Sequence, residues 1–245
     1  MKLTSVLLLA MLLPVAAAGQ NYYSPFILTA EGTPAGGPVT YGGVDTARVT
    51  NSSPLDLAIT IPSGLSNVMV VAHASVIYGS ITNVTNTTDA TTLTLGKSQG
   101  SSPANHVSAL YYELGVEAGT KTYRLTASGS YFALSVVVYY NAAQTDPIRA
   151  TGGGTGTGQV ATCAVSSDAD DLVVDGVLYL SGAWTATMVA DAGQTERVNH
   201  TGMPTYDPLH GQSDETGAAS TTMSWTCAAL NFEWMTAAMS IKRAE

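Results

Sequence analysis

The chain is poor in the residues that most enzymes and nucleic-acid-binding proteins depend on. Only nine of its 245 residues are Lys or Arg, against eighteen Asp or Glu, and charged residues make up 11% of the total. Recognition of a phosphate backbone draws on clustered Lys and Arg, so no nucleic-acid partner is expected. Cysteine occurs twice and histidine four times. His73, His106, His200 and His210 are scattered without the close spacing of a zinc site. Beyond the first twenty residues no apolar run approaches the roughly 20 residues of a spanning helix, so no membrane span is expected in the mature chain. Segments with a 3.6-residue apolar period are almost lacking, which argues against a helical fold.

At the start, Lys2, an apolar run from Leu3 to Val15 broken by Pro14, and Ala16-Ala17-Ala18 read as a signal peptide over residues 1–18. The mature protein is therefore expected to be secreted, extracellular or at the cell surface. Residues 19–37 read as an N-terminal tail or first strand.

Alternation of period two recurs through the rest of the chain. In Leu55-Asp56-Leu57-Ala58-Ile59-Thr60-Ile61 the apolar residues share one face, the mark of a half-buried antiparallel strand. Val68 to Ala74, Val107 to Leu114, Thr122 to Ala127, Phe132 to Tyr140, Leu172 to Leu180 and Trp234 to Ile241 read the same way, between Gly, Pro, Asn and Ser clusters. Strands repeated without helices predict an all-β fold, an antiparallel jelly-roll-like β-sandwich. Thr122 to Ala127 followed by Phe132 to Tyr140 is echoed by Thr222 to Cys227 followed by Phe232 to Ser240, and Asn67 to Val71 by Asp171 to Val174. Two pseudo-repeated halves follow, about 38–150 and 159–245, with the Gly-rich stretch 151–158 read as a flexible seam or hairpin loop. A single sandwich domain over 38–245 is favoured over two tandem domains.

The segments Ala118-Gly119-Thr120, Leu125 to Gly129, Gln144 to Ile148, Asp171 to Asp175, Ala192 to Thr195, Met223 to Thr226 and Trp234 to Lys242 carry a resemblance. The chain resembles uncharacterised secreted or surface jelly-roll β-sandwich proteins of microbes and phages. The resemblance implies that fold and a surface location, and no shared active site.

Several residues are candidates for a site. Cys163 and Cys227 lie on the inward faces of alternating segments, so a disulfide between them is expected in an oxidising compartment, the alternative being two buried thiols. Asn51, Asn83, Asn86 and Asn199 head N-x-[ST] triplets in loop-like sequence and are N-glycosylation candidates. Asp168, Asp170 and Asp171 form a dense carboxylate group, a weak calcium candidate against ordinary turn chemistry before a strand. Trp184, Tyr112 and Tyr140 are aromatic candidates for contact with a glycan or partner. Glu113 and Glu233, beside Tyr112 and Trp234, are the best pair for a jelly-roll glycosidase, which in its retaining form needs two carboxylates about 5–5.5 Å apart. Gly96-Lys97-Ser98-Gln99-Gly100 has the G-x-S-x-G spacing, but Ser101-Ser102-Pro103 follows where a nucleophile elbow needs a helix. Tyr22, Tyr23, Phe26, Ile27 and Leu28 form an apolar tail that can add to a sheet edge of another copy. The sequence is thus expected to encode a non-enzymatic structural or adhesive surface protein that self-associates through that tail. The alternatives are a carbohydrate-binding module and, behind it, a glycan-degrading enzyme.

Overall fold

The structure, a computed structural model, describes residues 36–101, 105–180, 186–200, 209–228 and 233–245, without the side chains of 44–49. Its fifteen strands among these residues are all antiparallel, and no helix occurs among them. The first half contains β1 (Thr40–Thr50), β2 (Leu55–Ile61), β3 (Met69–Asn86), β4 (Thr91–Thr92), β5 (Thr94–Ser101), β6 (His106–Leu114) and β7 (Gly119–Tyr140). The second contains β8 (Ile148–Thr157), β9 (Val160–Val165), β10 (Leu172–Leu180), β11 (Met188–Ala190), β12 (Thr195–His200), β13 (Leu209–Thr216), β14 (Thr221–Cys227) and β15 (Glu233–Ile241).

The two halves repeat one jelly-roll plan. In the first, the order β1-β7-β3-β6-β5 forms the main layer, and the start of β7 with the end of β3 turns over to pair with β2 and β4 in an opposing layer. In the second, β8-β15-β10-β13-β12 forms the main layer and β9-β14-β11 the opposing one. The repeated sequence segments hold equivalent places: Thr122 pairs with Ala58 of β2, and Thr222 with Ala164 of β9. What are single bent strands in the first half, β3 and β7, are separate strands in the second. The bend is possible because β3 and β7 cross at glycines. A Cβ on Gly79 would lie 1.8 Å from the Ser128 carbonyl oxygen, and Gly129 has φ +126°.

Alternation fixes what each layer buries. Leu55, Leu57, Ile59 and Ile61 join Val70, Ala72, Tyr123, Leu134 and Val136 inside the first sandwich. Ala161, Tyr179, Met188 and Trp225, with Cys163, Val173 and Met223, fill the second. The opposite faces of the two main layers meet in a third apolar cluster, where Met69, Val71, Leu110, Val137 and Tyr139 pack on Leu172, Val174, Ala237, Met239 and Ile241. At its edge Arg197 of β12 binds Asp214 of β13 at 2.6 and 2.9 Å and lies 3.9 Å above the Tyr41 ring of β1, while the Tyr139 hydroxyl donates to Asp214. The halves are thus joined by packing, by the Tyr139 hydrogen bond to Asp214 and by the contact of Arg197 with Tyr41, and among the described residues no strand of one pairs with a strand of the other.

The Gly-rich stretch is not a seam or a loop: residues 151–157 are the body of β8, paired with β15 through Gly152↔Ala238, Gly154↔Thr236 and Gly156↔Trp234. A Cβ on Gly152 would lie 2.4 Å from the Ala164 carbonyl, one on Gly154 2.6 Å from the Thr162 carbonyl, and one on Gly156 2.6 Å from the Trp234 ring. Glycine lets β8 close the corner over the outer edge of β9. The opposite corner is closed by side chains of β12: Glu196 accepts from Ala190 N and Asn199 donates to the Met188 carbonyl of β11. The chain instead passes between the halves through residues 141–147, pinned by Ala143 N to Lys242 O and Lys242 N to Pro147 O, both near 2.9 Å.

Candidate functional site

The predicted pairs and clusters are mostly dispersed. Cys163 and Cys227 both point inward, yet neither is in a disulfide. Cys163 is paired with Met223, four residues along β14 from Cys227, a separation of roughly 13 Å at the strand rise. A disulfide needs Cα atoms within about 7 Å, so the two sulfurs stay apart. Burial pushes the Cys163 thiol up to about 12, which makes it inert. Ellman's reagent is expected to find no reactive thiol in the native protein and two after unfolding without reductant; a single disulfide-linked species would contradict the register.

Glu113 and Glu233 do not form a catalytic pair. Glu233 lies 3.8 Å from His106 at the start of β6, whereas Glu113 is seven residues along that strand, on the order of 20 Å away. Glu113 instead accepts from Asn86 Nδ2 and Tyr123 OH, each at 3.1 Å, and from Thr91. These bonds tie down the turn that follows β3. Ser98 is inside β5, opposite Ala109, and no elbow surrounds it.

Of the four sequons, Asn51 is exposed in a bend between strands, as expected of an acceptor site. The other three are on strands rather than in loops. Asn86 is fully buried with its amide nitrogen committed to Asp89 and Glu113. The Asn199 nitrogen is committed to Met188 O and Glu196, and Asn83 is half-buried on β3. Asp168 and Asp171 bind Arg149 at 2.8 and 2.5 Å, and Asp170 binds Arg243 at 2.9 Å. Among the described residues no group of three or more His, Cys, Asp or Glu is arranged to hold a metal ion. Tyr112 and Tyr140 share no face: Tyr112 packs on the core between the halves, while Tyr140 alternates with Tyr139 and turns to the other side of the sheet. Trp184 and the tail residues Tyr22, Tyr23, Phe26, Ile27 and Leu28 lie outside the described residues, as does the leader. No helix among the described residues is long and apolar enough to cross a membrane.

Two polar constellations that the sequence did not announce stand out. The first is internal. His73 of β3 and His210 of β13 stack at 4.1 Å with an interplanar angle of 8°, fully buried between the halves. His73 fits because it faces Gly176, where a Cβ would meet the ring at 2.4 Å. One proton arrangement satisfies the surrounding bonds: His73 Nε2 donates to Ser108, which donates to Gly176 O; Ser75 donates to His210 Nδ1; His210 Nε2 donates to Ser135, which donates to Gln212. Both imidazoles are then neutral. Burial holds His73 down at about 3, with only the backbone of Gly211 opposing, and holds His210 well below its ordinary value.

The second is at the surface, where β3 leaves the main layer. Tyr78 has φ +55°, unusual for a bulky side chain, and is 65% exposed. Its N–H donates to His106 Nδ1 at 3.2 Å, the next N–H, of Gly79, donates to Asn105 O at 2.8 Å, and its ring lies 4.6 Å from the His106 ring. Because Nδ1 accepts, the His106 proton is on Nε2, directed to Glu233. Burial lowers the His106 pKa and the Glu233 carboxylate partly restores it. Ser80, Ser128 and Ser130 surround the bend, all exposed. No family model, curated protein or solved structure matches the chain.

Proposed function

We propose that this chain is a non-enzymatic extracellular adhesive module, a rigid double jelly roll that presents one end to a surface partner. The carrying observation is the clamped Tyr78: a strained, exposed aromatic held by hydrogen bonds from two consecutive backbone N–H groups is a pre-organised contact. The capping of β9 by β8 and of β11 by β12 supports a dispersed molecule, since strand addition needs an open edge. Self-association through residues 22–28 would need a partner surface other than these two capped edges.

Beads coated with the mature protein are expected to be retained under flow on the surface of the cells that secrete it, and the free protein to scatter light as a monomer. Equal retention of beads coated with heat-denatured protein, or release of reducing sugar from a polysaccharide by the purified chain, would defeat the reading.

A further inference from the structure

We infer that Tyr78 and Glu233, positioned by the buried His106 between them, form a binding site for the ring of a neutral carbohydrate. The inference rests on the adhesive reading and adds the chemical class of its ligand. Among the described residues the exposed large apolar side chains are Tyr78, Leu95, Val160 and Val189, and Tyr78 is both the aromatic one and the most exposed. A flat aromatic face suits the apolar C–H face of a sugar. Glu233, with its side chain 32% exposed, offers carboxylate oxygens to vicinal hydroxyls at the far edge of the same imidazole. The Tyr78 backbone and Glu233 thus flank one buried His106 ring, which fixes the aromatic and the carboxylate relative to each other.

The surroundings narrow the class further. Ser80 and Ser128 are hydrogen-bonded to each other at 3.0 Å beside the bend, and Ser130 follows. Among the described side chains the arginine ion pairs, Arg124 with Asp56, Arg149 with Asp168 and Asp171, Arg197 with Asp214 and Arg243 with Asp170, lie elsewhere. A site with one carboxylate and several hydroxyls favours a neutral polyhydroxylated ligand over an anionic one.

The backbone strain supplies the discriminating variant. If Tyr78 merely fills a bend, Tyr78→Gly relieves a left-handed conformation, gives up the ring contact with His106 and changes no ligand binding. If it is a contact, the same change leaves a fold at least as stable and removes binding. The experiment is affinity electrophoresis in native gels cast with a soluble β-glucan, a xylan, a mannan or a glycol chitin. At least one is expected to retard the wild type, Tyr78→Gly to migrate as in a gel without polysaccharide while its melting temperature is unchanged or higher, and Glu233→Gln to bind about tenfold more weakly. Equal retardation of Tyr78→Gly and wild type overturns the site. Beads that adhere while no polysaccharide retards the protein overturn the carbohydrate class and leave the adhesive reading standing.

Discussion

Alanine at Gly152 or Gly154 is expected to lower the stability of the protein by about 1 to 3 kcal/mol, the usual cost of forcing atoms into a filled interior. The argument rests on sign as much as size. A glycine in an ordinary strand with space beside it is a weakness, and alanine there would stabilise by about 0.5 to 1 kcal/mol. In a flexible linker, alanine would also stabilise by restricting the unfolded chain. Here the added methyl would sit 2.4 Å from the Ala164 carbonyl or 2.6 Å from the Thr162 carbonyl. Both contacts are backbone, so no side chain can swing aside and β8 or β9 must move. The neighbours are fixed in turn: β8 is held by β15, and β9 by β14. Urea titration of Gly152→Ala and Gly154→Ala measures the loss, with Thr155→Ala, on the exposed face of the same strand, as the control expected to stay within about 0.5 kcal/mol. A gain in stability at either glycine would mean that the corner is looser than described.

The same strand shows where sequence reading reaches its limit. Alternation in Leu55 to Ile61 and in Ala161, Cys163 and Val165 was legible because a side chain marks each face, and the burial of both sets follows the pattern. Glycines carry no such mark, so a tract of them reads as a linker even when every residue is in a ladder. The disulfide expectation failed for a related reason. Period two fixes which face a residue takes but not how far along the partner strand it falls, and four residues of register separate the two cysteines. Glu113 and Glu233 met the same obstacle, being placed by strand type with no knowledge of which ends of the strands coincide.

The surface site was hidden differently. Tyr78-Gly79-Ser80 follows a mostly apolar, fully buried run and has the composition of a turn, yet it is the bend at which one strand passes from layer to layer. The left-handed φ of Tyr78 and its clamp by Asn105 and His106 depend on β5 and β6 arriving at that bend, which no local pattern records. The duplicated plan, by contrast, was visible in the echoes at about one hundred residues, because equivalent strands face equivalent cores.

Acidification from pH 6 to pH 4 is expected to destabilise the protein by about 1.4 kcal/mol per pH unit, the net of two opposed contributions. His73 and His210 are neutral in the fold, and their ordinary pKa is near 6.5, so the unfolded chain takes up two protons that the folded one refuses. Each proton contributes a slope of about 1.4 kcal/mol per unit, and together they cost about 2.7 kcal/mol per unit as pH falls. The fold resists these protons chiefly because burial strips both rings of water, and further because the imidazoles are stacked, so that a second charge would face the first. Asp175 acts in the other direction. Burial pushes it up to about 7 despite bonds from Ser213 and Trp225, so between about pH 4 and 7 the folded state holds a proton that the unfolded chain has released. Its contribution is present at low pH and is lost as pH rises through 7, which offsets one histidine. Glu215, raised by burial, adds to that offset, and His106, lowered by burial, adds to the opposing side. Below about pH 4 the offset ends. Asp89, lowered chiefly by Lys121, and Asp171, where Arg149 and Ser240 together outweigh burial, then add to the loss. Urea midpoints between pH 4 and 8 test the balance, and Asp175→Asn isolates it. That variant keeps the histidines but not the opposing proton, so its slope from pH 6 to 4 should approach about 2.7 kcal/mol per unit, double that of the wild type. A wild-type stability that is flat or rising over the interval would mean that the imidazoles between the two jelly rolls can be protonated in the fold, and that the halves are not sealed against each other there.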